Sequence, residues 1–209
     1  MGTHARQPVA LAITGASGAH YALRLLECLV EAGEQVQLMV SEPGQIVIAM
    51  ETDIKLPGRP AEMQRFLTEY FAADEDQIRV FGRKEWTAPV ASGSSAPRAM
   101  VVCPCTMGTL AAIACGASSS LIERAADVVL KERRRLILVP RETPFSEIHL
   151  ENMLRLARMG AVMLAANPGF YHRPEGIEDL VDFIVARILD HLEVPHTLSS
   201  RWGETGPLD

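Results

Sequence analysis

The sequence predicts an α/β fold, in which a doubly wound, mostly parallel sheet of Rossmann-like or flavodoxin-like type carries helices on both faces. Short apolar segments of strand length alternate with amphipathic segments of helical period along most of the chain. Glycine, proline or hydroxyl residues follow most of the apolar segments, as at the turns of strand–helix units. The chain has 209 residues, 48% of them hydrophobic, which is enough apolar material for a substantial core.

The first half of the chain predicts two strand–helix units and a less regular segment. The second helix brings Glu51 near its end, and a loop rich in proline, serine and glycine contains Trp86. The predicted strands are 9–14, 35–40 and 78–81, the predicted helices are about 21–30, 45–50 and 60–73, and the loop is 86–95.

The second half repeats the alternation. Strands are predicted at 100–103, 136–139 and 161–166, and a turn at 106–109 leads into a helix that ends at Cys115. Further helices are predicted at about 121–135, 147–159 and about 178–192. We expect residues 1–194 to form a single domain. Residues 195–209 contain Trp202 and no regular pattern, so we expect a tail that docks on a neighbouring subunit.

Composition and charge exclude several classes of protein. A net charge of −6 and only 5% aromatic residues argue against a nucleic-acid-binding protein. No apolar run approaches the roughly 20 residues of a membrane span, and the polar start has no signal-peptide pattern, so we expect a cytoplasmic protein. Four cysteines lack metal-ligand spacing, and Cys105 is either a buried packing residue or a thiol nucleophile.

The turn after the first strand has features of an anion site. Gly15 and Gly18 leave no Cβ to obstruct a ligand, so main-chain N–H groups at the helix start can approach a phosphate, and Ser17 adds a hydroxyl. The spacing is shorter than a dinucleotide-binding fingerprint. A plain strand-to-helix turn that binds nothing is the alternative.

Further polar side chains follow the predicted strands, at the carboxyl edge where open α/β sheets bind ligands. Hydroxyl and cationic groups outnumber carboxylates, and no set of His, Cys and carboxylate residues has metal-ligand spacing. Such a group suits two phosphorylated ligands and acid–base chemistry by one or two glutamates. The group comprises Gly15, Ser17, Ser41, Glu51, Thr106, Thr109, Arg141, Glu142 and Tyr171, with Lys131 and Arg187 from helices.

Several of these residues also have a purely structural interpretation. Arg141 and Glu142 lie in a loop bounded by two prolines and either face a ligand or form a local ion pair. Arg124 and Lys131 share a helix face and either suit a substrate phosphate or belong to an exposed ion-pair network. Trp86 either packs in the core or lies on the surface to stack on a ligand.

The chain resembles the UbiX family of flavin prenyltransferases from about Leu11 to Trp202. The resemblance rests on separate motifs that together are highly specific and favour phosphate binding at the glycine turn. They are Thr14-Gly15-Ala16-Ser17-Gly18, Met39-Val40-Ser41, Glu51-Thr52-Asp53, Cys103-Pro104-Cys105, the run 123–134, Pro140-Arg141-Glu142-Thr143-Pro144, Phe170-Tyr171-His172-Arg173-Pro174 and Arg201-Trp202.

The resemblance implies a flavin-binding α/β domain that uses reduced FMN as a substrate. Members of the family join the dimethylallyl group of dimethylallyl phosphate to N5 and C6 of the flavin and release phosphate without a metal ion. The product, prenylated FMN, serves partner decarboxylases of the UbiD type in ubiquinone synthesis and on aromatic or cinnamic-type acids. The family forms homo-oligomers, commonly dodecamers, with sites between subunits.

By the same resemblance, roles fall on named residues. Catalytic roles are implied for Glu142, the acid–base group, and for Glu51 and Ser17. FMN would be held by Gly15, Ala16, Ser17, Ser41, Thr106, Met107, Gly108, Thr109 and Arg141. The prenyl phosphate would be met by Arg124, Lys131, Tyr171 and Arg187, in a pocket walled by Trp86 and Trp202.

Two departures and two alternatives remain open. At Thr106, where many relatives have Ser, this chain keeps the hydroxyl. Near Ser120, many relatives have an Asn-like residue, and this chain does not keep the amide. One alternative is a flavin-dependent decarboxylase of aromatic acids or of cysteine. The cysteine enzymes typically carry Pro-x-Met-Asn where this chain has Arg141 and Glu142 after Pro140. The other alternative is a non-catalytic FMN carrier.

Overall fold

The computed structural model describes residues 7–199, so Trp202 and most of the predicted docking tail lie outside the described residues. Within this range the strands form one parallel sheet. They are β1 (Val9–Ile13), β2 (Val36–Val40), β3 (Ile78–Phe81), β4 (Ala99–Cys105), β5 (Arg135–Pro140) and β6 (Val162–Met163). Their order is β3-β2-β1-β4-β5-β6, which is the Rossmann order and not the flavodoxin order.

Helices cover both faces of the sheet, as the sequence predicts. Along residues 7–199 they are α1 (Ala19–Glu31), α2 (Glu42–Glu51), α3 (Pro60–Tyr70), α4 (Met107–Ala114), α5 (Leu121–Lys131), α6 (Glu147–Arg158) and α7 (Ile177–Leu192). One core cluster joins the sheet to α1, α2, α3 and α7, and a second joins it to α4, α5 and α6. Among these described helices, none is both long enough and apolar enough to cross a bilayer.

Strand β1 explains why both faces are buried. Val9, Leu11 and Ile13 point into the first core cluster, and Ala10 and Ala12 point into the second. Each of these five side chains is almost inaccessible to water. Full burial of a side chain such as leucine contributes about 1.5–3 kcal/mol, so the two-sided packing of β1 fixes its central position.

The strand order places a crevice at the carboxyl edge. The chain crosses from β1 to β2 in one direction and later from β4 to β5 in the other, so the connections diverge between β1 and β4. Open α/β sheets bind ligands where connections diverge in this way. The turns that follow β1 and β4 therefore flank the expected ligand position.

Three predicted elements end three or four residues earlier than the sequence pattern suggests, and one of them is the helix predicted over 60–73, which ends at Tyr70. The helix predicted to reach residue 135 stops at Lys131, because Arg133 takes a left-handed conformation (φ 56°) that turns the chain into β5. The strand predicted over 161–166 is paired as a strand only over Val162–Met163, next to β5. Beyond it, single main-chain hydrogen bonds from Leu164 and Ala166 still reach β5.

Candidate active site

Three helices begin beside one cavity at the carboxyl edge of the sheet. The cavity has a volume of about 320 Å³, and the N-cap residues of α2, α4 and α5 line it. These residues are Ser41, Thr106 and Ser120. Each hydroxyl oxygen accepts a hydrogen bond from a main-chain N–H of its own helix, at 3.1, 3.1 and 3.4 Å respectively. Of the predicted flavin-binding residues, Gly15 and Thr109 also line this cavity.

The helix N-termini at this cavity favour an anion. A helix N-terminus carries partial positive charge and main-chain N–H groups without helical partners, so three such ends around one space suit a phosphate. Arg83 is the one arginine or lysine among the described residues that lines the cavity, which Glu42 and Glu123 line as well. The candidate residues chosen from the sequence do not include Arg83, although it lies just after β3, at the end of a strand like most of the others.

The N-terminus of α1 is occupied by the protein's own carboxylate. The N–H groups of Gly18 and Ala19, which the sequence suggested for a ligand phosphate, donate to Glu51 Oε2 at 2.9 and 2.8 Å. Partial burial alone would raise the pKa of the Glu51 carboxyl. Hydrogen bonds from the Ser17 hydroxyl and from these N–H groups nevertheless hold its pKa below the usual range. Glu51 therefore caps α1 as a carboxylate.

The glycine turn and the loop after β5 meet. Arg141 Nε donates to the main-chain oxygen of Ser17 at 3.3 Å. Glu142 is half-buried, and its Oε1 accepts a hydrogen bond from the N–H of Thr143 at 3.0 Å. Within residues 7–199 no ion pair joins Arg141 to Glu142, so the structure does not support a local ion pair between them. Ser17, Glu51 and Arg141 thus form one connected group.

Close packing requires the glycine at position 15. A Cβ on Gly15 would lie 2.4 Å from the Cβ of Pro43, well inside van der Waals contact. Ala16 and Met107 are nearly buried, at 4% and 7% exposure, so each can present only a small part of its surface to a ligand. Cys105 is fully buried, and burial raises the pKa of its thiol to about 12, which excludes a nucleophilic thiolate near neutral pH.

Tyr171 and Arg187 lie together, but in a different place. They line a second cavity of about 830 Å³ beside α7, which among the described residues shares no lining residue with the first cavity. The Tyr171 ring packs edge-on against Phe183, with ring centroids 5.8 Å apart. Arg187 Nη1 donates to Asp190 Oδ2 at 2.6 Å, and Arg187 lies about 15 Å along α7 from the start of that helix.

Helix α5 carries the other two predicted phosphate-binding cations. Arg124 Nε donates to the main-chain oxygen of Ala91 at 3.1 Å, and Arg124 Nη1 donates to Asp127 Oδ2 at 2.9 Å. Lys131 ends the helix and pairs with Glu132. The helix begins beside the first cavity and is about 16 Å long, so Lys131 lies towards the opposite edge of the sheet. Neither Arg124 nor Lys131 lines the first cavity.

Trp86 lies on the surface and not in the core. Its side chain is 47% exposed, which agrees with the interpretation that it stacks on a ligand or a partner. Trp202, the other predicted wall of the prenyl pocket, lies outside the described residues. Among residues 7–199, no three His, Cys, Asp or Glu side chains are grouped so that they could hold a metal ion.

Comparison with known proteins identifies the family. A family model described as Flavoprotein matches residues 2–189. The flavin prenyltransferase UbiX of Pseudomonas aeruginosa is 62% identical over 196 residues, covering 94% of each chain. The chain belongs to the UbiX family of flavin prenyltransferases. It is therefore a transferase, and FMN is its flavin substrate.

Two solved structures of UbiX-like proteins share the fold. AnUbiX (PadA1), in complex with FMN and dimethylallyl pyrophosphate, has a TM-score of 0.84 and 42% identity, covering 96% of this chain and 99% of its own. A dodecameric FMN-dependent UbiX-like decarboxylase from Escherichia coli O157:H7 has a TM-score of 0.83 and 39% identity, covering 93% and 98%. The UbiX family resemblance inferred from the motifs is confirmed.

The capping contact of Glu51 leads to a pH-dependent prediction. Glu51→Gln removes the charge that faces the N-terminus of α1, so we expect the free energy of unfolding to fall by about 0.5–1 kcal/mol near pH 7. Because the pKa of Glu51 is lowered on folding, the stabilisation is complete above the unfolded-state pKa and disappears as the pH falls through the folded-state pKa. Urea unfolding of both proteins at neutral and acidic pH measures the difference.

Glu31→Gln is the matched control for this experiment. Glu31 is exposed in the last turn of the same helix, where a negative charge gains nothing from the helix dipole. Its removal is expected not to destabilise the protein at either pH. If Glu51→Gln lowers the free energy of unfolding by the same amount at neutral and acidic pH, the proposed charge effect is contradicted.

Proposed function

We propose that this chain joins the dimethylallyl group of dimethylallyl phosphate to N5 and C6 of reduced FMN, releases phosphate and yields prenylated FMN. The observation that carries the proposal is the convergence of three capped helix N-termini on the cavity beside Gly15. A phosphate-bearing flavin needs such a site, and its ring system needs the adjoining carboxyl edge of the sheet.

The residues around this cavity fit FMN. Ser41, Thr106 and Thr109 would bind its phosphate together with the main-chain groups of Met107 and Gly108. The turn formed by Gly15, Ala16 and Ser17 would lie along the flavin, with Arg141 above it through its bond to Ser17. Bound there, FMN supplies the nucleophilic N5 and C6 atoms; the protein supplies position and charge.

The second cavity fits the phosphate of the prenyl donor. Departure of phosphate from an allylic carbon builds negative charge on the leaving group, and fixed cations and hydroxyls stabilise that charge. Tyr171 and Arg187 offer both groups there, and Arg124 and Lys131 would add charge. Aromatic faces favour a short-lived allyl cation, which is the role we assign to Trp86 and Trp202.

We infer that neighbouring protomers complete the active site. In one protomer the cavity of Tyr171 and Arg187 and the end of α5 at Lys131 are separate from the flavin cavity. The dodecameric state of a relative at 39% identity supports a homo-oligomer, and we propose a dodecamer. In such an assembly, cations from one copy can reach the flavin of another, and the tail 195–209 can contact a neighbour.

Glu142 is the acid–base group in this proposal. Once the prenyl group is on N5, the bond to C6 needs an acid that protonates the remaining double bond and a base that takes the C6 ring proton. Glu142 lies beside Arg141 at the carboxyl edge, with one oxygen accepting a hydrogen bond from Thr143 N–H, and as an acid–base group it can give the one proton and take the other. The released phosphate is the competing base. Ser17 and Glu51 act together, because the Ser17 hydroxyl donates a hydrogen bond to the Glu51 carboxylate.

The wider context of the reaction is also proposed. The product would pass to a UbiD-type decarboxylase in the cytoplasm, in ubiquinone synthesis or in the decarboxylation of aromatic acids. In this proposal the cations of the protein stabilise the departing phosphate, so we propose that no metal is needed.

An anaerobic reaction tests the proposed activity. The protein is mixed with reduced FMN and dimethylallyl phosphate in the presence of a chelator, and released phosphate and the mass of the extracted flavin are followed. We expect a flavin heavier by one prenyl unit with matching phosphate. Unchanged flavin without phosphate release would overturn the proposal and favour the decarboxylase or the FMN carrier.

Glu142→Gln is expected to bind FMN like the wild type and to stall product formation. The substitution keeps the size and the contact to Thr143 but removes the base, which typically costs about 10²–10⁴-fold in rate. Flavin titration and single-turnover kinetics separate the two effects. Turnover at the wild-type rate would assign the proton transfer to the released phosphate.

Lys131→Ala is expected to raise the concentration of dimethylallyl phosphate needed for half-maximal rate far more than that of FMN. Mixed oligomers of Lys131→Ala and Glu142→Gln subunits then test the shared site. The mixture is assayed at a dimethylallyl phosphate concentration too low for Lys131→Ala alone to turn over. If the two residues of one site come from different protomers, about a quarter of sites in a random mixture regain both, and activity returns. Equal effects on both ligands, or no activity in the mixture, would contradict the placement of Lys131.

A further inference from the structure

Arg83 occupies an unusual position beside the flavin cavity. It follows β3, and its main-chain oxygen accepts a hydrogen bond from Leu121 N at 2.8 Å, which fixes the Arg83 backbone at the start of α5. The three hydroxyl N-caps and Arg83 therefore surround the same space. Among the described residues, Arg83 is the one fully charged cation lining the cavity.

The guanidinium of Arg83 is only weakly held by the protein. Its Nη1 lies 3.8 Å from Glu42 Oε1, and the two side chains are 58% and 77% exposed. Ion pairs this long and this exposed contribute little stability, so a stronger anion displaces the carboxylate at small cost. Glu42 itself directly follows Ser41, the N-cap of α2.

The other charges around the cavity are too small to balance a bound phosphate without Arg83. A phosphate monoester carries about −1.5 to −2 charges near pH 7, whereas each helix N-terminus offers only about half a positive charge. Two carboxylates, Glu42 and Glu123, line the same cavity and oppose a phosphate. Glu123 is held by the N–H of Ser119 at 2.6 Å, but Glu42 faces Arg83.

We propose that Arg83 exchanges Glu42 for the phosphate of FMN and thereby sets the preference of this enzyme for FMN over unphosphorylated riboflavin. The inference rests on the proposed function in taking FMN as the occupant of this cavity. It adds a phosphate-binding residue that the motifs of the chain do not include.

Binding of oxidised FMN and of riboflavin, followed by quenching of flavin fluorescence without a prenyl donor, tests Arg83 directly. Arg83→Gln is expected to weaken the binding of FMN about tenfold and to leave the binding of riboflavin unchanged, because only FMN loses a charge-assisted hydrogen bond. Arg83→Lys keeps the charge and is expected to retain most of the FMN affinity. Arg59→Gln is the control: this exposed arginine also pairs with a glutamate and does not line the cavity.

The outcomes separate this inference from the proposed function. If Arg83→Gln weakens the binding of FMN and of riboflavin equally, or changes neither, Arg83 does not bind the phosphate of FMN. Equal losses in Arg83→Lys and Arg83→Gln would overturn the role of its charge. Wild-type protein that prefers FMN but gives no prenylated flavin overturns the proposed function and leaves the Arg83 result intact.

Discussion

Parallel strand direction is the constraint on which the rest of this molecule depends. Because β1 to β5 all run the same way, a helix that directly follows a strand begins at the carboxyl edge. Helix N-termini, with their partial positive charge, are thus concentrated on one side of a chain whose net charge is −6. The protein neutralises one of them internally through Glu51 and leaves those of α2 and α4 around a cavity. The N-terminus of α5, which follows α4 and not a strand, lines the same cavity.

The fold could be predicted largely because strand and helix periods are local. The strands β1 and β3 were predicted within one residue of their observed ends, and helices on both faces were expected. The overlong helix at 121–135 had no local stop signal, because an arginine and not a glycine takes the left-handed turn at residue 133. Strand β6 was overpredicted because apolar sequence alone does not reveal how far pairing with β5 extends.

The site was predictable where residues follow strands and unpredictable where distant segments meet. Gly15, Ser41, Thr106 and Thr109 share one cavity, as strand-end logic suggests. The bond between Glu51 and the start of α1 joins residues 33 positions apart, a pairing that no spacing rule encodes. Tyr171 and Arg187 line a different cavity from Gly15 and Ser41, and the motifs in the sequence carry no information about the distance between the two cavities.

The tight contact between Gly15 and Pro43 has a consequence for anyone who maps this enzyme by mutation. Gly15 lines the cavity that we propose for flavin, yet it is Pro43, and not a ligand, that leaves no space for a side chain there. A scan that scores only flavin retention would rank this glycine among the strongest binding determinants. Its variants would in truth report that the first turn of α2 had been pushed away, together with the hydroxyl of Ser41.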